Sequence, residues 1–206
     1  SKERILVELL KILNLKSFIN FNKSTYLKEI FNFIFPEFAN LKRLDKLKEI
    51  LNSSKINLNL LLAILLIDKD SNHEYFCHKY NVSNDIKDDL NLLAKNLKLL
   101  QNKKDFFTKD IEKYIYLNDK SHLINLNILN FASNSKYSFK NFSEAMKNIL
   151  KSKAHKFDID GKYLMNKGMR EGVLLGKVLR KIEEEWMENN FKISDDRVQE
   201  IIKQNS

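Results

Sequence analysis

All four glycines of this 206-residue chain lie between Gly161 and Gly176. The stretch reads Asp160-Gly161-Lys162-Tyr163-Leu164-Met165-Asn166-Lys167-Gly168-Met169-Arg170-Glu171-Gly172-Val173-Leu174-Leu175-Gly176-Lys177. Its residue types and spacing suit the binding of a phosphate group. Gly168 fits the left-handed residue that ends a short helix. Gly172 opens a second helix, where bare N–H groups and the positive dipole end receive an anion. Gly176, one turn further on, has no side chain and lets a backbone or a ligand approach closely. Lys162, Lys167, Arg170, Lys177 and Arg180 surround these positions. The same residues also suit a tight helical hairpin whose glycines serve packing and whose cations are only solvated. Charge is concentrated here too. From Lys136 to Lys181 twelve Lys or Arg stand against four Asp or Glu, so +8 of the formal net charge of +9 falls in under a quarter of the chain. The heavy use of Lys, Asn and Ile suggests an AT-rich coding bias, but such a bias spreads Lys evenly. The acidic run Glu183-Glu184-Glu185 follows directly.

Other chemistries find little support. His73 and His78 are five apart and cannot share a helix face as zinc ligands four apart do. His73 and Cys77 can share one, but two ligands make no site, and a partly buried helix with a packed thiol is expected instead. Asp158-Ile159-Asp160 has the spacing of a metal-binding carboxylate pair, yet Asp160 precedes a helix and reads as its cap. No nucleophile elbow, Walker loop or dinucleotide fingerprint is present, so no catalytic residue and no metal ligand is assigned. Near the start, Arg4 and Glu8 lie four apart on one helix face, with Lys11 three beyond, as in a surface ion-pair ladder.

The elements that must position these residues are helices. Four Gly and one Pro replace the roughly 14 and 10 that average usage gives, which disfavours strand-and-turn folds. The single Cys77 excludes a disulfide scaffold and suits a reducing cytoplasm. The most apolar run, Leu58 to Ile67, is about half of what a bilayer requires, so no membrane role is expected. Apolar periodicity predicts helices over Arg4 to Leu15, from a Ser24 cap to Ile34, and over Leu41 to Leu51 with Asn40 as cap. Further helices are predicted over Leu58 to Ile67, over the stripe Ile86, Leu90, Leu93, Leu97 and Leu100 with Ser83 as cap, over Thr108 to Tyr116 and over Ser121 to Ala132. Ser143 to Ser152 follows, with Phe142 ahead of the cap. A short helix capped by Asp160 stops at Gly168, a long one runs from Gly172 to about Asn189, and Ser194 caps a last one. The fold class is all-α. Asn52-Ser53-Ser54-Lys55 and Ser133-Asn134-Ser135-Lys136 read as soft linkers.

The pattern Gly161-x-x-Leu164-x-x-x-Gly168-x-x-x-Gly172-x-x-x-Gly176-x-x-Leu179-x-x-Ile182-Glu183-x-x-Trp186, followed by Phe191, resembles the C-terminal signature of bacterial class II tRNA nucleotidyltransferases. These are the CCA-adding enzymes, together with their poly(A) polymerase relatives. Glu3-Arg4-Ile5-x-x-Glu8-x-x-Lys11-Ile12-Leu13 resembles that family's neck-helix motif, and Phe35-Pro36-Glu37 its passage from neck to body. One departure is Glu171, where the family often has Pro before a glycine of the run. It places a negative charge beside the proposed phosphate position.

The resemblance implies an elongated all-α array: a neck remnant over 1–36, a helical body over 37–135 and a basic tail with a Gly-rich hairpin over 136–206. It implies the later part of a longer enzyme that adds CCA to tRNA 3′ ends from CTP and ATP. In such an enzyme the missing head holds Mg²⁺ and, with the neck, the nucleotide, so this portion is not expected to be catalytic alone. Its expected partner is tRNA, held by the acceptor and T arms. Arg4, Glu8 and Lys11 would brace the neck. Lys162, Lys167, Gly168, Arg170, Gly172, Gly176, Lys177 and Arg180 would meet RNA, with Tyr137 and Phe139 adding stacking or core packing. Poly(A) polymerase and partial CC- or A-adding relatives share the same pattern. The contrasting reading is a non-catalytic helical module whose basic segment docks an acidic protein.

Overall fold

A computed structural model describes residues 1–51, 56–103 and 105–205, except for the side chain of Asn22. Among these residues every regular element is helical. The elements are α1 (Lys2–Leu13), a 3-10 segment (Lys16–Lys23), α2 (Thr25–Ile34), α3 (Arg43–Leu47), α4 (Leu58–Leu66), α5 (Asn72–Lys79), α6 (Asn84–Asn102), α7 (Ile111–Asn118), α8 (Lys120–Ser133), α9 (Phe139–Lys151), α10 (Gly161–Asn166), α11 (Val173–Glu188) and α12 (Asp195–Gln204). The all-α expectation therefore holds. The expected linker Asn52-Ser53-Ser54-Lys55 lies outside the described residues. None of the helices searched is long and apolar enough to cross a membrane.

Local chemistry sets many of the starts. Ser24, Asn57, Asp119, Ser138, Asp160 and Ser194 each accept a hydrogen bond from a backbone N–H in the first turn of the helix they precede. Several boundaries differ from expectation. α1 stops at Leu13, and the chain tightens into the 3-10 segment. α9 begins at Phe139 rather than Ser143, because Ser138 is its cap, and Phe142 is buried inside it. α7 begins at Ile111 rather than Thr108, whose hydroxyl bonds the Asp105 carbonyl instead. Ser83 precedes α6 without making a side-chain cap bond. Asn40 does not cap α3. Its amide donates to the Leu65 carbonyl at 3.1 Å and toward Asp68 at 3.4 Å, so it ties this region to the end of α4.

The chain divides into two compact units, Ser1–Ser152 and Lys153–Ser206. In the first, α8 touches α3, α4, α6, α7 and α9, and α4 is buried from Leu60 to Leu66. Phe31, Phe35, Phe38, Phe76 and Tyr80 form a continuous aromatic cluster that joins α2 to α5. Segments 1–36 and 37–135 therefore share one core. The segment expected as a tail, 136–206, is divided at Ser152. The reason is that α9 buries Phe142, Ala145 and Ile149 in the first unit's core. Tyr137 belongs there as well: it is half-buried, with its hydroxyl donating to Asn127 Oδ1 at 2.8 Å. Phe139 is half-exposed but keeps ring contact with Phe131 and Phe142.

In the second unit α10, α11 and α12 close on Leu164, Met169, Val178, Ile182, Val198, Ile201 and Ile202. In α11, Ile182 and Trp186 are buried, whereas Leu175 and Leu179 only flank the core, where Val178 takes the inner position.

Phe38 is 1% exposed and touches Phe31, Phe35 and Phe76. Phe38→Ala is expected to cost about 3–5 kcal/mol. Urea unfolding followed by circular dichroism checks this, and an unchanged midpoint contradicts the packing described.

Candidate nucleic-acid interface

The glycine-rich hairpin is built by local rules. Asp160 Oδ1 accepts the Tyr163 N–H at 2.8 Å and starts α10. At its end the Gly168 N–H reaches the Met165 carbonyl at 2.9 Å and the Met169 N–H reaches the Leu164 carbonyl at 3.1 Å. Gly168 has φ +99°, while Leu164 and Met169 are both buried. These are the paired bonds, left-handed glycine and apolar contact of a Schellman ending. The expected role of Gly168 holds. Gly172 precedes α11 with φ +149° and offers no side chain to its first turn, so the amides there have no cap from that position.

The other two glycines differ in kind. A Cβ on Gly161 would meet Leu175 Cδ2 at 3.2 Å, so this glycine lets α10 lie close against α11. A Cβ on Gly176 would meet nothing within 4 Å. Gly176 faces open space on the exposed side of α11 and receives no close backbone neighbour. The packing role of Gly161 is not legible in the sequence, because its partner Leu175 lies fourteen residues away on another helix.

Lys162, Arg170, Lys177 and Arg180 are exposed, and among the described residues none of them joins an ion pair such as Lys156–Asp158, Lys167–Asp195, Arg197–Glu185 or Arg197–Glu200. Val173 is 80% exposed, and Leu174 and Met165 are also exposed. The hairpin thus presents cations and apolar surface on elements adjoining an uncapped helix start. Glu171 is exposed in the same turn.

Lys167 is a different matter. Its ammonium donates to Asp195 Oδ2 at 2.8 Å and lies 5.4 Å from the centre of the Tyr163 ring. The Tyr163 hydroxyl donates to the other Asp195 oxygen. The Asp195 carboxyl is held below its ordinary range by bonds from Lys167 and Tyr163, while the same bond to Asp195 raises Lys167. Lys167 therefore fastens α10 to the start of α12 and is already committed. Arg197 does similar work, donating to both Glu185 oxygens at 2.6 and 3.0 Å and so tying α12 to α11. Neither clamp was legible beforehand, since the partners lie 28 and 12 residues apart. The only hint was the acidic first turn of α12, Asp195 and Asp196.

The Arg4, Glu8, Lys11 set lies on α1 in the first unit. Lys11 pairs with Glu8 at 2.9 Å, both exposed, whereas Arg4 makes no ion pair with Glu8 among the described residues. The longer connection is made by Glu3, whose carboxylate accepts from Asn81 at 3.0 Å. Hydrogen bonds from its own backbone, Asn81 and Ser1 pull Glu3 down to about 2.

No protein-family model and no curated protein sequence matches this chain. Among the described residues no group of three or more His, Cys, Asp or Glu could hold a metal ion. His73 and Cys77 are buried in α5; burial lowers the imidazole and raises the thiol.

The Lys167–Asp195 clamp gives a signed pH dependence. A carboxyl whose pKa is lowered by folding contributes stability that is present above its unfolded value and lost as pH falls through the folded one. Asp195→Asn is therefore expected to destabilise the second unit at pH 7. The deficit should vanish as the pH falls well below the ordinary value of 3.8. Urea unfolding read by Trp186 fluorescence at pH 7 and in acid checks this, and a deficit that persists in acid contradicts it.

Proposed function

We propose that this chain is the tRNA-holding part of a tRNA nucleotidyltransferase, the neck remnant, body and tail that the glycine signature resembles. The observation that carries the reading is the α10–α11 hairpin. It combines four exposed cations with an uncapped helix start and an open Gly176. Backbone phosphates are met by point charges and free amides, which read the shape of a duplex more than its sequence. Acceptor and T arms offer such a duplex. In the intact enzyme the held 3′ end would receive nucleotides from CTP and ATP. The Mg²⁺ and nucleotide belong to the head and neck, and no residue of this chain is assigned to them. Poly(A) polymerase and partial CC- or A-adding relatives call for the same duplex-holding surface, and the difference among them lies in the head and neck.

Exposed Val173 and Leu174 beside the cations support one rival, a helical module that docks an acidic protein. Fluorescence anisotropy with a tRNA transcript over a range of salt separates the two. Binding should weaken steeply with salt. Lys177→Ala with Arg180→Ala should lower the log–log slope by about two, one unit for each lost phosphate contact. Lys167→Ala should lower stability with little change of slope. Absence of tRNA binding at low salt, or binding indifferent to salt, sinks the reading.

A further inference from the structure

α6 sorts its side chains by charge. Lys87, Asn91, Lys95, Lys98 and Asn102 recur at spacings of four, four, three and four, so they share one face of the helix. Together with His73 and Glu74 of α5 they line a groove of about 610 Å³ within the first unit. That volume falls in the roughly 300–1,000 Å³ range of ligand sites. The acids of the helix, Asp85, Asp88 and Asp89, do not line it, and Asp89 instead accepts from Asn59 of α4 at 3.0 Å. Glu74 is the carboxylate on the lining, and it is exposed, 4.0 Å from His73 Nε2.

Lys87, Lys95 and Lys98 are exposed, and among the described residues none of them joins an ion pair. Their placement works against the helix. Lys87 lies near the N-terminal end of α6, where the dipole disfavours a cation, and Lys95 and Lys98, three apart, repel each other. Elsewhere the chain commits its lysines: Lys46 and Lys120 hold carbonyls, and Lys79 and Lys167 hold carboxylates. The amides beside the three lysines also keep donors to spare. Asn102 spends one amide hydrogen on the Lys98 carbonyl at 3.1 Å, and Asn91 makes no hydrogen bond among the described residues.

The length of the row decides what it fits. Lys87 and Lys98 are eleven residues apart, about 16 Å of helix. One phosphate meets one or two such cations, whereas a row of this length suits successive phosphates of a chain. Lysine meets phosphate as a point charge, and asparagine amides reach phosphate and sugar oxygens. A groove of this size admits one strand and not a duplex. We propose that it binds the backbone of a single nucleic-acid strand, with Lys87, Lys95 and Lys98 on successive phosphates and Asn91 and Asn102 beside them. The site lies in a different unit from the glycine-rich hairpin and does not rest on the reading given to it.

His73 supplies the readout. Burial lowers its imidazole, and the charge of Lys98 lowers it further, an effect that a phosphate on Lys98 would cancel. The test titrates the full chain, labelled with ¹⁵N-histidine, with a short oligouridine RNA, with ATP and with inorganic phosphate. The RNA should shift the His73 ring resonances saturably, and the two small anions should do so far less. Replacing the row together, Lys87→Gln, Lys95→Gln and Lys98→Gln, should abolish the shift. It should also lower the log–log salt slope of RNA binding by about two, the value for three single-strand phosphate contacts. Asn91→Glu, which sets a carboxylate among the lysines, should weaken binding and serves if the triple variant does not fold. Small anions that move His73 as far as the RNA overturn the proposal, because the groove is then a small-anion site. An unchanged salt slope overturns it, and so does RNA that leaves His73 unmoved. If that RNA still moves His155 of the second unit, the hairpin reading stands while this one falls.

Discussion

Every helix leaves four carbonyls at its end without a partner, and the usual remedy is a left-handed glycine. The first unit has no glycine at all. Long cations do the work instead. Arg43 donates to the Ile64 and Ile67 carbonyls at 2.8 and 2.7 Å and closes α4. Lys46 donates to those of Phe131 and Asn134 at the end of α8, and Lys120 to that of Leu150 at the end of α9. Burial lowers the Arg43 pKa, yet two short carbonyl bonds hold the group in place. Where the chain must turn left-handed, it uses Ser71, Asn81 and Asp119. Asn and Asp tolerate that conformation better than other residues with a side chain.

This way of ending helices gives the glycine cluster its meaning. A chain that can close its helices with Lys, Arg, Asn and Asp does not need glycine for closure in general. Even α11 ends with Asn190 and Phe191 at positive φ, while Phe191 stacks on His155 at 3.8 Å. Of the four glycines only Gly168 is an ordinary helix stop. Gly161 permits close packing, Gly172 takes a conformation that side chains rarely adopt, and Gly176 keeps one side of α11 bare. Gly161, Gly168 and Gly172 thus each answer a local demand of the hairpin, whereas nothing within 4 Å requires glycine at Gly176.

The same economy changes what the net charge means. Arg43, Lys46, Lys79, Lys120, Lys167 and Arg197 are all engaged, with carbonyls or with Glu37, Asp195 and Glu185. A formal +9 therefore overstates the cations free to meet a partner. The second unit carries nearly balanced charge, eleven Lys and Arg against ten Asp and Glu, but the signs are segregated along the chain. Cations predominate through α10 and the first half of α11. Acids predominate from Glu183 onward, where Glu185 and Asp195 are spent on clamps.

Features whose partners lie within a turn were legible in the sequence. The all-helical class followed from scarce glycine and proline. The Ser24, Asp160 and Ser194 caps and the left-handed Gly168 followed from rules that act over three to five residues. The buried Leu90, Leu93 and Leu97 followed from the helical repeat. Tertiary structure alone decided the rest. It spent Lys167 on Asp195, sent Asn40 to the end of α4 instead of the start of α3, and placed α9 in the first unit. It also left the Asn130 amide buried in α8 with neither atom hydrogen-bonded among the described residues. The physical reason is common to these cases. A residue type states what it can donate or accept, but a partner dozens of residues away is chosen by packing, which leaves no period in the sequence.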